Sequence, residues 1–134
     1  VLLTRVEYLK DGAERGFAIV DAAMNDLLRP ALYDAWHDIV PLQRRHAGTR
    51  GRWDVVGPVC ESGDFIGRER ELVLVPGHVL AVCTAGAYGF AMSSSYNARP
   101  RPPEVMIRGE SWHVVRPRER LEALYAGESV LPQI

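Results

Sequence analysis

Leu2-Leu3-Thr4-Arg5-Val6-Glu7-Tyr8-Leu9, a break at Asp11-Gly12 and Gly16, then Phe17-Ala18-Ile19-Val20-Asp21-Ala22: this stretch decides the fold. Two apolar runs containing β-branched residues, parted by a glycine-bearing turn, predict a long β-hairpin with an irregular tip. Working outward, Pro30 suits the first position of a helix, and Ala31 to Ile39 can make about two turns with Leu32, Ala35 and Trp36 on one side. Arg29 and Tyr33 are four apart and would share a face of that helix. Further strands are expected at Ile39–Leu42, Trp53–Val59, Glu71–Val75, Val79–Thr84, Glu104–Arg108 and His113–Arg116, with Gly, Pro or Ser clusters between them. Pro117 opens a short final helix at Glu119–Tyr125. Many short strands, few helices, no βαβ alternation and no internal repeat predict a mainly β fold: one barrel or sandwich domain over residues 1–134, with short peripheral helices.

The 134 residues are 47% hydrophobic and 25% charged, with a formal net charge of -1, as in an ordinary soluble globular domain. Sixteen basic residues are scattered among seventeen acidic ones. Pro and Glu punctuate the run of Arg99, Arg101, Arg116, Arg118 and Arg120, which argues against a nucleic-acid surface. No apolar run approaches the roughly 20 residues that a membrane span needs, and no signal core follows the N-terminus, so a cytoplasmic protein is expected. Cys60 and Cys83 lie in no CxxC or Cys/His cluster, and free thiols without a structural metal are expected. The sequence opens on Val1 and enters a strand at once, as a domain cut from a longer polypeptide would; removal of the initiator would explain it equally.

Two polar, Gly/Ser-rich segments depart from the strand pattern, and such departures are where function is sought. In Cys60-Glu61-Ser62-Gly63-Asp64 a thiol and a carboxylate share one turn. The adjacent negative charge disfavours thiolate, which suits Cys60 to proton donation better than to nucleophilic attack. In the stretch from Gly86 to Asn97, Tyr88 stands among glycines, where a sharply bent backbone can aim its phenol at a ligand. Arg29 and Tyr33 together could grip a carboxylate. Taken singly, each has a plainer reading: Cys60 as a small buried residue, Glu61 as a solvated turn residue and Asp64 as a turn cap. Tyr88 would be a packing aromatic, and Arg29 the N-terminal residue of a surface helix.

In combination, three segments resemble the C-terminal region of diaminopimelate decarboxylases in order and spacing. They are Ile19-Val20-Asp21-Ala22-Ala23-Met24-Asn25-Asp26-Leu27-Leu28-Arg29-Pro30-Ala31-Leu32-Tyr33, then Val56-Gly57-Pro58-Val59-Cys60-Glu61-Ser62-Gly63-Asp64, then Ala85-Gly86-Ala87-Tyr88-Gly89-Phe90-Ala91-Met92-Ser93-Ser94-Ser95-Tyr96-Asn97. The likeness runs over nearly the whole chain; Ala23, where many relatives have Gly, is a departure. The resemblance implies a two-domain, fold-type-III enzyme in which an N-terminal (β/α)8 barrel holds pyridoxal 5'-phosphate (PLP) on a lysine and a C-terminal β-domain completes the site. This chain would be the second part. Its single lysine, Lys10, sits in the hairpin tip with no family motif around it and reads as a solvated charge.

By the same resemblance, Arg29 and Tyr33 would bind the distal carboxylate of meso-diaminopimelate and Glu61 its distal ammonium. Cys60 would protonate the α-carbon after CO2 leaves, and Tyr88 would contact substrate and cofactor. The resemblance further implies a head-to-tail homodimer with Cys60 and Glu61 acting in the partner's site, and a fragment inactive alone. Two alternatives stay open: a related decarboxylase domain acting on ornithine or arginine, for which Arg29 would lack its purpose in the ornithine case, and a non-catalytic β-domain serving as a binding module.

Overall fold

The computed structural model describes residues 1–43 and 48–132. The chain folds into two compact units, Val1–Ser93 and Ser94–Ile134. The first unit holds β1 (Leu2–Lys10), β2 (Gly16–Val20), α1 (Arg29–Tyr33), β3 (Ile39–Pro41), β4 (Thr49–Val56), β5 (Phe65–Leu74) and β6 (Val79–Val82). These six strands form one sheet in the order β3-β6-β1-β2-β4-β5.

The opening hairpin forms as expected. β1 and β2 pair antiparallel, with Val6 opposite Val20 and Lys10 opposite Phe17. Alternation directs Thr4 and Val6 of β1 inward and the charged Arg5 and Glu7 outward. β2 pairs with β4 in parallel, Gly16 opposite Trp53 and Ile19 opposite Val56, whereas the other neighbours in the sheet run antiparallel. A parallel pair needs a crossover connection, and the segment from Asp21 to Gly48, with α1 and β3 in it, supplies one. Val6, Val20, Trp53, Val55, Ile66, Leu74, Leu80 and Val82 fill the interior, each at most 2% exposed. The edge strands β3 and β5 also touch. A Cβ on Gly67 of β5 would lie 2.9 Å from Ile39 Cδ1 and 2.6 Å from Arg70 Nε, so glycine is what lets these edges approach. The result is a nearly closed, barrel-like sheet, the mainly β architecture expected from the sequence.

Several boundaries differ from the sequence reading. The helix expected over Ala31–Ile39 is a single turn, Arg29–Tyr33, ended by Asp34 in the left-handed conformation (φ 52, ψ 33). Beyond it His37, 1% exposed, is drawn into the core with Nδ1 2.9 Å from the Cys83 carbonyl oxygen, which holds the chain extended into β3. Leu32 and Trp36, the proposed packing face, are 54% and 67% exposed. β5 begins at Phe65, six residues before the expected Glu71, because Phe65, Ile66 and Gly67 are all buried and Glu69 takes a positive φ of 56°, which hides the two-residue period. β4 runs Thr49–Val56, displaced toward the N-terminus from the expected Trp53–Val59, because Gly57 enters the turn closed by its N–H to the Asp64 carbonyl, 3.1 Å. β6 stops at Val82, ahead of Thr84 at φ 54°.

The second unit contains a 3₁₀ turn (Tyr96–Ala98), the antiparallel pair β7 (Glu104–Arg108) and β8 (Ser111–Arg116), and a 3₁₀ turn (Leu121–Leu124) where a helix over Glu119–Tyr125 was expected. Glu119 is occupied elsewhere: its carboxylate accepts from Arg101 N–H at 3.0 Å and from the Arg101 guanidinium at 3.1 and 3.3 Å. Its own N–H donates to the Arg101 carbonyl at 3.1 Å, so Glu119 is tied to the segment ahead of β7 and not to a helical ladder. Arg116 likewise pairs with Glu104 at 2.7 Å. With Arg120 3.6 Å from Glu122, three of the clustered arginines take part in ion pairs within this unit.

Candidate active site

The turn joining β4 to β5 carries Cys60 and Glu61, and a buried carboxylate sets its shape. Asp64, 4% exposed, accepts the Val59 N–H on Oδ2 at 2.6 Å and the Met24 N–H on Oδ1 at 2.7 Å. Within the turn, Glu61 N–H donates to the Val59 carbonyl (2.8 Å) and Asp64 N–H to the Glu61 carbonyl (3.0 Å). A Cβ on Gly57 would stand 2.4 Å from Asp64 Oδ2, so only glycine leaves room for this carboxylate. These bonds turn Cys60 and Glu61 outward, and both are exposed. Cys60 is thus not the small buried residue of its plainer reading.

The second arm enters the site through the turn that follows β2. Asp26 accepts the Ala23 N–H at 2.9 Å, closing a turn that delivers Arg29 to the start of α1, with Pro30 at its first turn. Arg29 is half-buried, and Tyr33, one turn later, is 63% exposed. Arg29 reaches Tyr88, its guanidinium carbon 5.8 Å from the centre of the ring, within cation–π range. Tyr88 itself is 64% exposed and in the left-handed conformation (φ 64°), its carbonyl accepting the Met92 N–H at 2.9 Å. It is not a core aromatic; the strained backbone turns the phenol to the surface.

Arg29 and Tyr88 therefore meet directly, and the Cys60–Glu61 turn joins the same crossover through Asp64 and Gly63. A Cβ on Gly63 would lie 3.6 Å from Met24 Cε and 3.9 Å from the Ala31 Cβ, ordinary packing distances. Glu61 opens onto a cleft of about 550 Å3 lined with Arg15, Phe17, Val59, Asp64 and Arg68. Beside Arg15, hydrogen bonding and charge from Arg52, at 2.7 Å, and from Arg15 itself, at 3.3 Å, hold the Glu69 carboxyl below its usual range. Arg68 stacks over Phe65 at 3.7 Å and Arg70 over Trp36 at 3.1 Å. Burial pulls the pKa of the Arg70 guanidinium down, opposed by the charge of Asp38. These stacked arginines were not singled out in the sequence, where they sit in a charged run that resembles a solvated face. Lys10, at the exposed end of β1, stands opposite Phe17. Among the described residues no three His, Cys, Asp or Glu side chains cluster as metal ligands, and no helix is long and apolar enough to cross a membrane.

The barrel-like sheet thus turns a thiol–carboxylate pair, Cys60 and Glu61, and a guanidinium–phenol pair, Arg29 and Tyr88, toward its surface. The family model for the C-terminal sheet domain of pyridoxal-dependent decarboxylases matches residues 1–86, and the chain belongs to that family. It is 60% identical over 99% of its length to a diaminopimelate decarboxylase of Pseudomonas aeruginosa and 58% identical, again over 99%, to that of Vibrio cholerae. In each case the match spans 32% of the relative, so the chain covers about a third of the length of these proteins. The crystal structure of diaminopimelate decarboxylase from Helicobacter pylori complexed with L-lysine superposes with a TM-score of 0.84 at 42% identity, over 93% of this chain and 30% of that one.

Proposed function

We propose that residues 1–134 are the C-terminal domain of a cytoplasmic diaminopimelate decarboxylase, which converts meso-2,6-diaminopimelate to L-lysine and CO2. The observation that carries this reading is the Arg29 guanidinium arm, four residues from Tyr33 and 5.8 Å from the Tyr88 ring, in a chain 60% identical to such an enzyme. A planar guanidinium with a phenol one helical turn along, Tyr33, matches a carboxylate. Ornithine has no carboxylate at its distal end, so this arm favours diaminopimelate over an ornithine-type substrate.

The roles follow from side-chain chemistry. Arg29 and Tyr33 hold the distal carboxylate, and Glu61 pairs with the distal ammonium, so the zwitterionic end is read by both signs of charge. The Cys60 Sγ–H donates the proton that takes the place of CO2 on the α-carbon. Pyridoxal phosphate, when bound, supplies the electron sink that accepts the pair left by the departing carboxyl group. Tyr88 offers a phenol O–H to the cofactor's phosphate and to the reacting end of the substrate. Lys10 lies in the hairpin and has no part in holding the cofactor, which belongs to an N-terminal (β/α)8 barrel in the remainder of the polypeptide. Ile107 and Trp112 in the second unit, 72% and 67% exposed, support a larger assembly that covers them. In that assembly, a head-to-tail homodimer, Cys60 and Glu61 act in the site of the partner subunit.

The test is release of CO2 and lysine from meso-diaminopimelate by the full-length polypeptide with PLP, beside residues 1–134 alone. Turnover by the first and none by the second is expected. Lysine production by the fragment alone, or none by the full-length protein, would overturn the proposal.

A further inference from the structure

We propose that Arg70, with Trp36 stacked over it, is an anchor of the subunit interface that receives an acidic side chain from a second copy of the full-length chain. The inference deepens the reading above and rests on it for the homodimer in which Cys60 and Glu61 enter the partner's site. The fold builds this arginine into place. Trp53 stands opposite Arg70 and Val55 opposite Gly67, so Asp54 between them is opposed by both Arg68 and Glu69, a β-bulge. Glu69 takes a positive φ of 56° there, and its N–H donates to the Asp54 carboxylate at 2.8 Å. Partners across an antiparallel pair share a face, so the bulge sets Gly67 and Arg70, three residues apart, both on the inner face with Val55 and Trp53. Arg70 is consequently 6% exposed, amid a run of charged neighbours that are all exposed.

A guanidinium buried this far needs acceptors, because its charge has lost its water. Among the described residues, Nε and Nη1 of Arg70 meet no acceptor, and no carboxylate lies within ion-pair distance of the side chain. Asp38 acts on it only through charge, and accepts the Trp36 indole N–H at 2.9 Å. What Arg70 does have is the Trp36 ring at 3.1 Å, and that ring is itself 67% exposed. Arg68 repeats the arrangement over Phe65 at 3.7 Å, again with no ion pair among the described residues. Both arginines and Trp36 line one cleft of about 550 Å3 beside the end of α1. Of the acids on its wall, Asp34 closes α1, and Glu69 already pairs with Arg15 and Arg52. Ring-stacked guanidiniums beside an exposed indole suit a carboxylate carried on an apolar stem, and Trp and Arg are the residues that most often anchor interfaces. The occupant is the second copy because this cleft adjoins the one onto which Glu61 opens: Arg15, Phe65 and Arg68 line both. With Glu61 acting in the partner's site, the same stretch of β5 lies against that subunit.

The test uses full-length, PLP-loaded protein. Two batches carrying different fluorophores are mixed, and the rate of subunit exchange is read from energy transfer for wild type, Arg70→Met and Trp36→Ala, beside their melting temperatures. Arg70→Met keeps the apolar stem under the indole and removes the charge. Trp36→Ala removes an exposed ring and keeps the arginine, so it carries the test if the first variant does not fold. Each variant is expected to exchange subunits about tenfold faster or more, or to become monomeric, since lost interface anchors show mainly in dissociation. If the acid came from the same polypeptide, or Arg70 served the fold alone, the melting temperature would fall with exchange within about twofold of wild type, and that result overturns the proposal. A monomeric wild type overturns it together with the homodimer. Unchanged exchange in a dimer that turns over meso-diaminopimelate overturns this inference alone, whereas faster exchange in a dimer that does not turn it over upholds the anchor and removes the substrate assignment.

Discussion

Cys60 and Glu61 are neighbours in sequence, but their proposed tasks separate cleanly in kinetics. Cys60→Ala removes the proton donor and is expected to lower kcat by about 10²- to 10⁴-fold, with the smaller effect on KM. Glu61→Ala removes a binding charge and is expected to raise KM, with kcat/KM falling about tenfold. Steady-state assays of the full-length enzyme distinguish the two patterns. Asp21 makes a different prediction. Burial works against its ionisation, but hydrogen bonds from the Arg5 N–H (2.8 Å) and the Thr4 hydroxyl (2.7 Å), with the charge of Arg5, hold its carboxyl below the ordinary 3.8. A depressed folded-state pKa stabilises the fold above 3.8, and that contribution disappears as the pH falls through the still lower folded value. Asp21→Asn is therefore expected to cost on the order of 1 kcal/mol at pH 7, a figure kept small by partial exposure, and progressively less as the pH is lowered below 3.8 in paired thermal melts. At this scale the sequence was legible where chemistry is written in residue type: a thiol beside a carboxylate, an arginine four before a tyrosine. It read Asp64 as a turn cap, which its bond to Val59 N–H makes it, but not as the acceptor of Met24 N–H, which lies forty residues away.

At the scale of elements, the hairpin of β1 and β2 could be read because its alternation is regular and its tip is rich in turn residues. α1 was overextended because periodicity alone does not register Asp34 in the left-handed conformation or the pull of buried His37. β5 was read too late because Arg68, Glu69 and Arg70 resemble a solvated loop, whereas stacking on Phe65 and Trp36 makes two of them part of the strand's packing. The parallel pairing of β2 with β4 is a long-range choice that no local pattern encodes. Closure of the sheet makes Gly67 the sensitive point. Gly67→Ala presses a methyl onto Ile39 and Arg70 and is expected to destabilise the fold by about 1–3 kcal/mol, read as a lower urea midpoint at constant slope.

At the scale of the whole molecule, about a third of the length found in the related decarboxylases carries a nearly closed, barrel-like sheet and a set of polar groups at its surface. Asp64 ties the Cys60–Glu61 turn to the segment that leads into Arg29, and Arg29 lies over the Tyr88 ring. On the proposed function the domain forms one wall of a site whose cofactor is held by another domain, and reading the distal end of the substrate is the proposed task of Arg29. The most direct test is the ratio of kcat/KM for meso-diaminopimelate to that for L-ornithine, measured on the full-length enzyme with and without Arg29→Met. The account predicts that the wild type favours diaminopimelate by about 100-fold or more and that the substitution collapses the preference by at least about tenfold. A ratio that Arg29→Met leaves unchanged would contradict the assignment of this domain to distal-end recognition.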